Sequence, residues 1–163
     1  MSDDPIKDAL RLMPYGFYAV TSRNGEDVNA MVANWITQAS FEPRLVIMGL
    51  QKTSYTHEVI EKGHVFAINI FKSEDKEAML PFTKGRSKKP EKMNEANYSD
   101  APETGCPILD GATAYIEFKV VNLIDVGGDH DILVGEAVGA GILKSADVGE
   151  IMTLPGLGWS YAG

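Results

Sequence analysis

The chain has 163 residues, 44% of them hydrophobic and 23% charged, with a formal charge of −8 and a single cysteine, Cys106. That length is enough for one core, and no run approaches the ~18 apolar residues that cross a bilayer. The acidic balance excludes a general nucleic-acid or anionic-membrane partner, whose binding neutralises many phosphates, and the lone thiol excludes an internal disulfide.

The opening MSDDPIKDALRLM carries acids where a secretory or mitochondrial signal needs bases, so a cytoplasmic location is expected. Asp4-Pro5 is a helix start, an N-cap acceptor followed by proline at the first helical position. Ile6, Ala9, Leu10 and Met13 recur at helical spacing, so the spacing predicts a short amphipathic helix that Pro14 ends. Tyr15 to Thr21, aromatic and β-branched, reads as the first strand. Asn24-Gly25 is a strong hairpin signal, and Val28 to Val32 returns antiparallel.

The stretch from Asn29 to Thr56 then departs from core chemistry. It interrupts two apolar runs with Asn29, Asn34, Thr37, Gln38 and Ser40 around Trp35 and Ile36. Each of those polar groups, buried without a partner, costs about 1–3 kcal/mol, so the segment reads as the wall of a site for a flat, polar, partly anionic ligand. Trp35 alone reads equally well as a core residue; its polar neighbours favour the ligand.

Leu45 to Leu50 is a buried strand by length and apolarity. Lys52-Thr53-Ser54-Tyr55-Thr56 begins a helix running to Lys62, with Gly63 at its C-terminal turn. In isolation it is an ordinary N-cap, but exposed N–H groups, three hydroxyls and an ammonium also make a phosphate seat. Val65 to Phe71 is the next strand, and Ser73 caps a helix with Ala78, Met79 and Phe82 on its apolar side. From Thr83 to Pro107 periodicity fails, and a long loop is expected. Its Lys84, Arg86, Lys88, Lys89 and Lys92 face one acid, Glu91. Most of them read as solvated, and Lys92 is the candidate for reaching a ligand. Ala114, Ile116, Phe118 and Val120 alternate with Tyr115, Glu117 and Lys119, the pattern of a strand with one core face. Gly127-Gly128-Asp129 then presents His130 ahead of the apolar, glycine-rich 132–142.

His57 and His64 straddle a helix end and Cys106 has no neighbour, so no metal site is expected. There is no Ser-His-Asp arrangement, P-loop or dinucleotide fingerprint. Six or more strands joined mostly by short turns, with two or three helices outside, make a mainly β protein with peripheral helices, a β-barrel forming a single domain over 1–163.

PYGFYAVTS, NAMVANWITQASFEP, LVIMGLQKTSYTHEVIEKG, FAINIF, GCPILDGATAYIEFKV and GDHDILVGEA together resemble the flavin reductase-like family, the FMN-binding split barrels of antiparallel, Greek-key type. Gly128-Asp129-His130 with Gly135-Glu136 is the most specific match. Trp35 and the aromatic-glycine tail look like the flavoredoxin-like members. The resemblance implies a homodimer with FMN near the subunit interface. It implies Asn29, Trp35, Thr56, Lys92 and His130 around the isoalloxazine, and Lys52, Ser54 and Thr56 toward the phosphate or ribityl chain. Asn34, Ile36, Thr37 and Tyr55 complete the expected contacts, Lys92 and His130 are the expected catalytic pair, and Trp159 or Tyr161 closes the site. Glu117-Phe118 stands where many of these reductases have Glu-Cys, so no second thiol is present.

Two activities fit. One is a flavin reductase, with hydride passing from NAD(P)H to flavin N5 and electrons onward to flavin, a ferric complex or a protein acceptor. The other is a flavoredoxin-like electron carrier with tightly bound FMN, a redox protein partner and no nicotinamide site.

Overall fold

In a computed structural model that describes residues 3–162, Gly25 takes φ +60° and turns β1 (Tyr18–Asn24) into β2 (Asp27–Ala33), pairing Asn24 with Asp27 and Ser22 with Asn29. Met1 and Ser2 of the N-terminal segment and Gly163 of the aromatic-glycine tail lie outside the described residues. After β2 come β3 (Ile36–Ser40) and β4 (Leu45–Gln51), then α2 (Tyr55–Gly63) and β5 (Val65–Ile70). The long strands β8 (Ala114–Ile124) and β9 (His130–Ile142) complete a seven-stranded antiparallel sheet in the order β2-β1-β5-β8-β9-β4-β3. A separate hairpin pairs β6 (Tyr98–Asp100) with β7 (Pro107–Leu109).

The two ends of that sheet, β2 and β3, are consecutive in sequence, separated only by Asn34 and Trp35. The sheet therefore curls until its edges meet without pairing, a split barrel with Trp35 at the seam. The curl is packed on its inside by Val20, Met48, Leu50, Ile60 and Leu133 around Phe66, which stacks on Phe118 at 4.7 Å. Gly135 of β9 permits that stack, because a Cβ there would come 2.4 Å from Phe66 Cζ. A second cluster, including Phe17, Phe71, Met79, Phe82, Leu109 and Met152, joins the outer segments to the β1 end.

Several local expectations change. The first helix, α1 (Pro5–Leu10), is capped by Asp4 as expected, but it ends before Pro14 and buries none of its residues; Ile6 and Leu10 face outward. Six residues make fewer than two turns, too few to lay an apolar stripe on the sheet. The first strand starts at Tyr18, not Tyr15, since Gly16 bridges Thr153 and Phe17 N–H bonds Met152 O instead. Gly63 is the last helical residue, and His64 takes the left-handed turn at φ 58°. Ser73 opens a 3₁₀ turn without a side-chain cap, followed by the short α3 (Lys76–Met79). The expected loop from Thr83 contains α4 (Lys92–Glu95) and the β6 strand. Glu117 is buried, not solvated, because its Oε1 accepts from Glu103 N, Thr104 N and Thr104 Oγ1 at 2.7–3.0 Å. Among the described residues no helix is long and apolar enough to cross a membrane, and no group of His, Cys, Asp and Glu could hold a metal ion.

Candidate functional site

The site is built on the seam between β2 and β3. Alternation along β2 puts Asn29, Met31 and Ala33 on one face, and they line the floor of a trough with two ends. One end, of about 420 Å³, lies among Phe17, Asn34, Trp35, His130, Trp159 and Tyr161; the other, of about 790 Å³, runs past Ser54, Tyr55 and Thr56 to Arg86 and Lys92. Met31, Gln51 and Ser54 line both, so the two ends are continuous.

At the first end Trp35 meets His130 and Tyr161, each with ring centroids at 4.8 Å, those two rings standing 6.4 Å apart, and it rests on Gly49, where a Cβ would come 3.2 Å from the indole. Trp159 instead meets Phe17 edge-on at 5.6 Å. Both tail aromatics thus line the trough, but only Tyr161 reaches the Trp35 ring. His130, at the start of β9, is held by Asp129 Oδ1 at 2.7 Å from Nδ1, and that bond keeps the Asp129 carboxyl below its usual range.

Along the trough several polar groups are buried and incompletely paired. Asn29 Nδ2 donates to Thr56 Oγ1 at 2.8 Å, yet Asn29 Oδ1 has no donor and Asn34 Nδ2 has no acceptor. Such orphans cost free energy unless a ligand pairs with them. Lys92, on the first turn of α4, is 2% exposed and donates only to Lys84 O at 3.1 Å; among the described residues no carboxylate pairs with it. Burial, and then the neighbouring Arg86 charge, bring its ammonium down to about 8 from 10.5.

At the helix end Ser54 is the N-cap of α2. Its hydroxyl accepts from His57 N at 3.1 Å and donates to Gln51 O at 2.9 Å. Arg86 lies over the Tyr55 ring at 4.0 Å and donates to Asp27 Oδ1 at 3.1 Å, while Tyr55 donates to Asp27 Oδ2 at 2.5 Å, a bond that raises the phenol. Lys52 is turned to Asp125 at 2.7 Å and stands 3.8 Å from Asp131, the hydrogen bond to Asp125 raising its ammonium. Asp131 also takes His57 Nε2 at 2.6 Å.

Asn29, Asn34, Trp35, Lys52, Ser54, Tyr55, Thr56, Lys92, His130 and Trp159 therefore all line the one trough. Ile36 and Thr37 do not: β3 carries them along β4, where Ile36 packs on the inner core and Thr37 Oγ1 bonds Gln38 O. Sequence reasoning missed Phe17, Met31, Gln51 and the ordered role of Arg86. The period-2 step from Asn29 could have found Met31, but nothing in the basic run distinguishes Arg86 from its neighbours.

The flavin reductase like domain model matches residues 10–154. The ferric-chelate reductase (NAD(P)H) of Archaeoglobus fulgidus is 33% identical over 143 residues, covering 86% of this chain and 83% of that one. The high molecular weight rubredoxin of Moorella thermoacetica is 32% identical over 149 residues, and there the match takes 89% of this chain but only 62% of the relative's length. The crystal structure of the flavin reductase HpaC complexed with NADP+ superposes with a TM-score of 0.74 at 28% identity, over 87% of each chain.

Proposed function

Because the chain belongs to the flavin reductase-like family, we propose that it is an FMN-binding oxidoreductase, one domain over 1–163, working as a homodimer with NAD(P)H as electron donor. The observation that carries this reading is the set of buried, incompletely paired groups along the trough: among the described residues Asn29 Oδ1 and Asn34 Nδ2 have no partner, and the Lys92 ammonium has a backbone carbonyl but no carboxylate. A planar, hydrogen-bonding ring with a phosphate tail meets all three needs.

Bound FMN would supply the redox chemistry, linking hydride from NAD(P)H to electrons for flavin, a ferric complex or a protein acceptor. The chain's own groups do the rest. Trp35 and Trp159 hold the ring by contact and packing, with Asn29, Asn34 and Thr56 supplying hydrogen bonds. Ser54 and Tyr55 shape the phosphate end. Lys92 offers positive charge in a low-dielectric wall, which favours the reduced, more anionic ligand. His130, oriented by Asp129, donates or accepts a proton at the aromatic end.

The carrier reading has its own support: Tyr161 packs on Trp35 where a nicotinamide would approach, and one relative is named a rubredoxin. Anaerobic mixing of the yellow protein with NADH, then NADPH, separates the two. Bleaching of the flavin band within seconds supports the reductase; an unbleached band removes it in favour of the carrier. Protein that takes up no FMN removes both.

A further inference from the structure

In a chain of formal charge −8, Lys84, Arg86, Lys88, Lys89 and Lys92 stand within nine residues that hold one acid, Glu91. Thr83 lines the aromatic end of the trough, and Gly85, Arg86, Ser87 and Lys92 line the helix end, so this run is a strap along both. Buried Phe82 and Met93 anchor its two ends. Between them the strap closes on itself: Lys88 N and Lys89 N donate to Gly85 O, and Lys92 Nζ donates to Lys84 O. Arg86 holds its middle to the trough, lying over Tyr55 and donating to Asp27.

Three of the five cations are committed. Arg86 pairs with Asp27, Lys89 pairs with Glu95 at 3.0 Å, and Lys92 is buried. Lys84 and Lys88 are exposed, and among the described residues neither has a carboxylate partner. Both stand next in sequence to residues that line the trough, Lys84 between Thr83 and Gly85, Lys88 after Ser87. Consecutive Cα atoms are about 3.8 Å apart and the Debye length at physiological salt is about 8 Å, so each lysine acts on a ligand entering there before salt screens it out. The helix lining of the same end has the opposite sign. Glu58 and Glu61 line it, Glu58 bonded to Lys62 and Glu61 without a cation among the described residues, so a polyanion gains on the strap side and loses along α2.

We infer that Lys84 and Lys88 make the strap a charge filter for the electron donor, favouring a pyridine dinucleotide with an additional phosphate on its adenosine ribose, NADPH, over NADH. This rests on the reading above in which a pyridine dinucleotide reduces the bound flavin. The extra phosphate adds about −1.5 to −2 of charge at neutral pH, and attraction to fixed cations scales with ligand charge. The filter works through the field of the two ammonium groups, so it falls on donor affinity and its salt dependence and leaves the chemical step alone.

The test is the reductive half-reaction of the FMN-loaded protein, followed by anaerobic stopped flow against increasing NADPH or NADH. Wild type should half-saturate at about fourfold lower NADPH than NADH, and that advantage should shrink as ionic strength rises from about 0.01 to 0.15 M, where the Debye length falls from about 30 to 8 Å. The Lys84→Gln/Lys88→Gln double variant should bring NADPH to within about twofold of NADH while the limiting rates of bleaching stay close to those of wild type, and each single variant should give part of that shift. Its retained flavin band shows that the trough is still folded. Lys119→Gln, which removes an exposed cation of β8 outside the trough lining, should keep the wild-type ratio. The inference is overturned if wild type shows no NADPH preference, if the preference ignores salt, if the double variant and both single variants keep it, or if Lys119→Gln lowers it as much. Yellow protein that neither dinucleotide bleaches overturns the donor reading and this inference with it, and leaves the flavin site standing.

Discussion

Asn29 gives its amide N–H to Thr56 across the trough at 2.8 Å and leaves its own carbonyl oxygen buried without a donor. One half of the side chain ties β2 to the first turn of α2, while the other is held ready for something that is not protein. Asn29→Ala removes both halves. Ligand-free protein should lose little stability, because the orphaned oxygen, worth about 1–3 kcal/mol of penalty, goes with the lost bond. FMN affinity should fall by about tenfold or more, and the rise in melting temperature on adding FMN should shrink. A variant whose FMN-induced shift equals that of wild type takes Asn29 out of the site.

Trp35 stands at the seam and touches both His130 and Tyr161. Trp35→Ala should weaken FMN through the lost stacking wall, about 0.5–1.5 kcal/mol beyond area burial, measured as a raised dissociation constant. Tyr161→Ala should act differently. It opens the aromatic end, so bleaching by NADPH should accelerate about severalfold by stopped flow if the tail restricts the nicotinamide, with a faster FMN off-rate alongside.

Lys92 sets a pH dependence whose sign follows from its environment. Its ammonium is lowered from 10.5 to about 8 in the folded chain, mainly by burial. Below pH 8 it is charged in both folded and unfolded states and its burial is fully destabilising. Between 8 and 10.5 the unfolded chain binds the extra proton, so stability rises with pH. In urea titrations of ligand-free protein, wild type should gain on Lys92→Met as pH climbs from about 8 to 10. A difference that stays flat across that window contradicts the buried ammonium.

The same substitution has a redox readout. With the cation gone, reduced flavin loses a stabilising charge, so Lys92→Met should lower the midpoint potential in spectroelectrochemical titration at pH 7. An unchanged potential would place Lys92 away from the ring.

Gly135 tests the core that supports the seam. A methyl group there meets Phe66 at 2.4 Å and Phe118 at 3.1 Å. Gly135→Ala should cost about 1–3 kcal/mol by overpacking, seen as a lower urea midpoint with or without FMN.

Much of this was legible in the residues. Asn24-Gly25 set the hairpin, LVIMGL the strand β4, of which only Met48 and Leu50 are buried because it lies next to the β3 edge, and Asp4-Pro5 the first cap, because turn chemistry, apolar runs and N-caps act over a few neighbours. Trp35, Ser54, Thr56 and His130 could be singled out by type and company, Lys92 chiefly by the family resemblance, and the structure gathers them on one trough. What local pattern could not supply was pairing at a distance. Nothing near Lys52 in sequence announces that Asp125 and Asp131 will take its charge, and nothing in KGRSKKPEK says that Arg86 will lie on Tyr55 and Lys92 be buried while Lys84 and Lys88 face solvent. Glu117 read as an outward strand residue because the backbone amides that bind it come from another segment. The sequence by itself determined the chemistry available to this protein and the strands that carry it. Only the tertiary structure decided which charges meet, since curling the sheet until β2 faces β3 brings together side chains that share no neighbourhood in the chain.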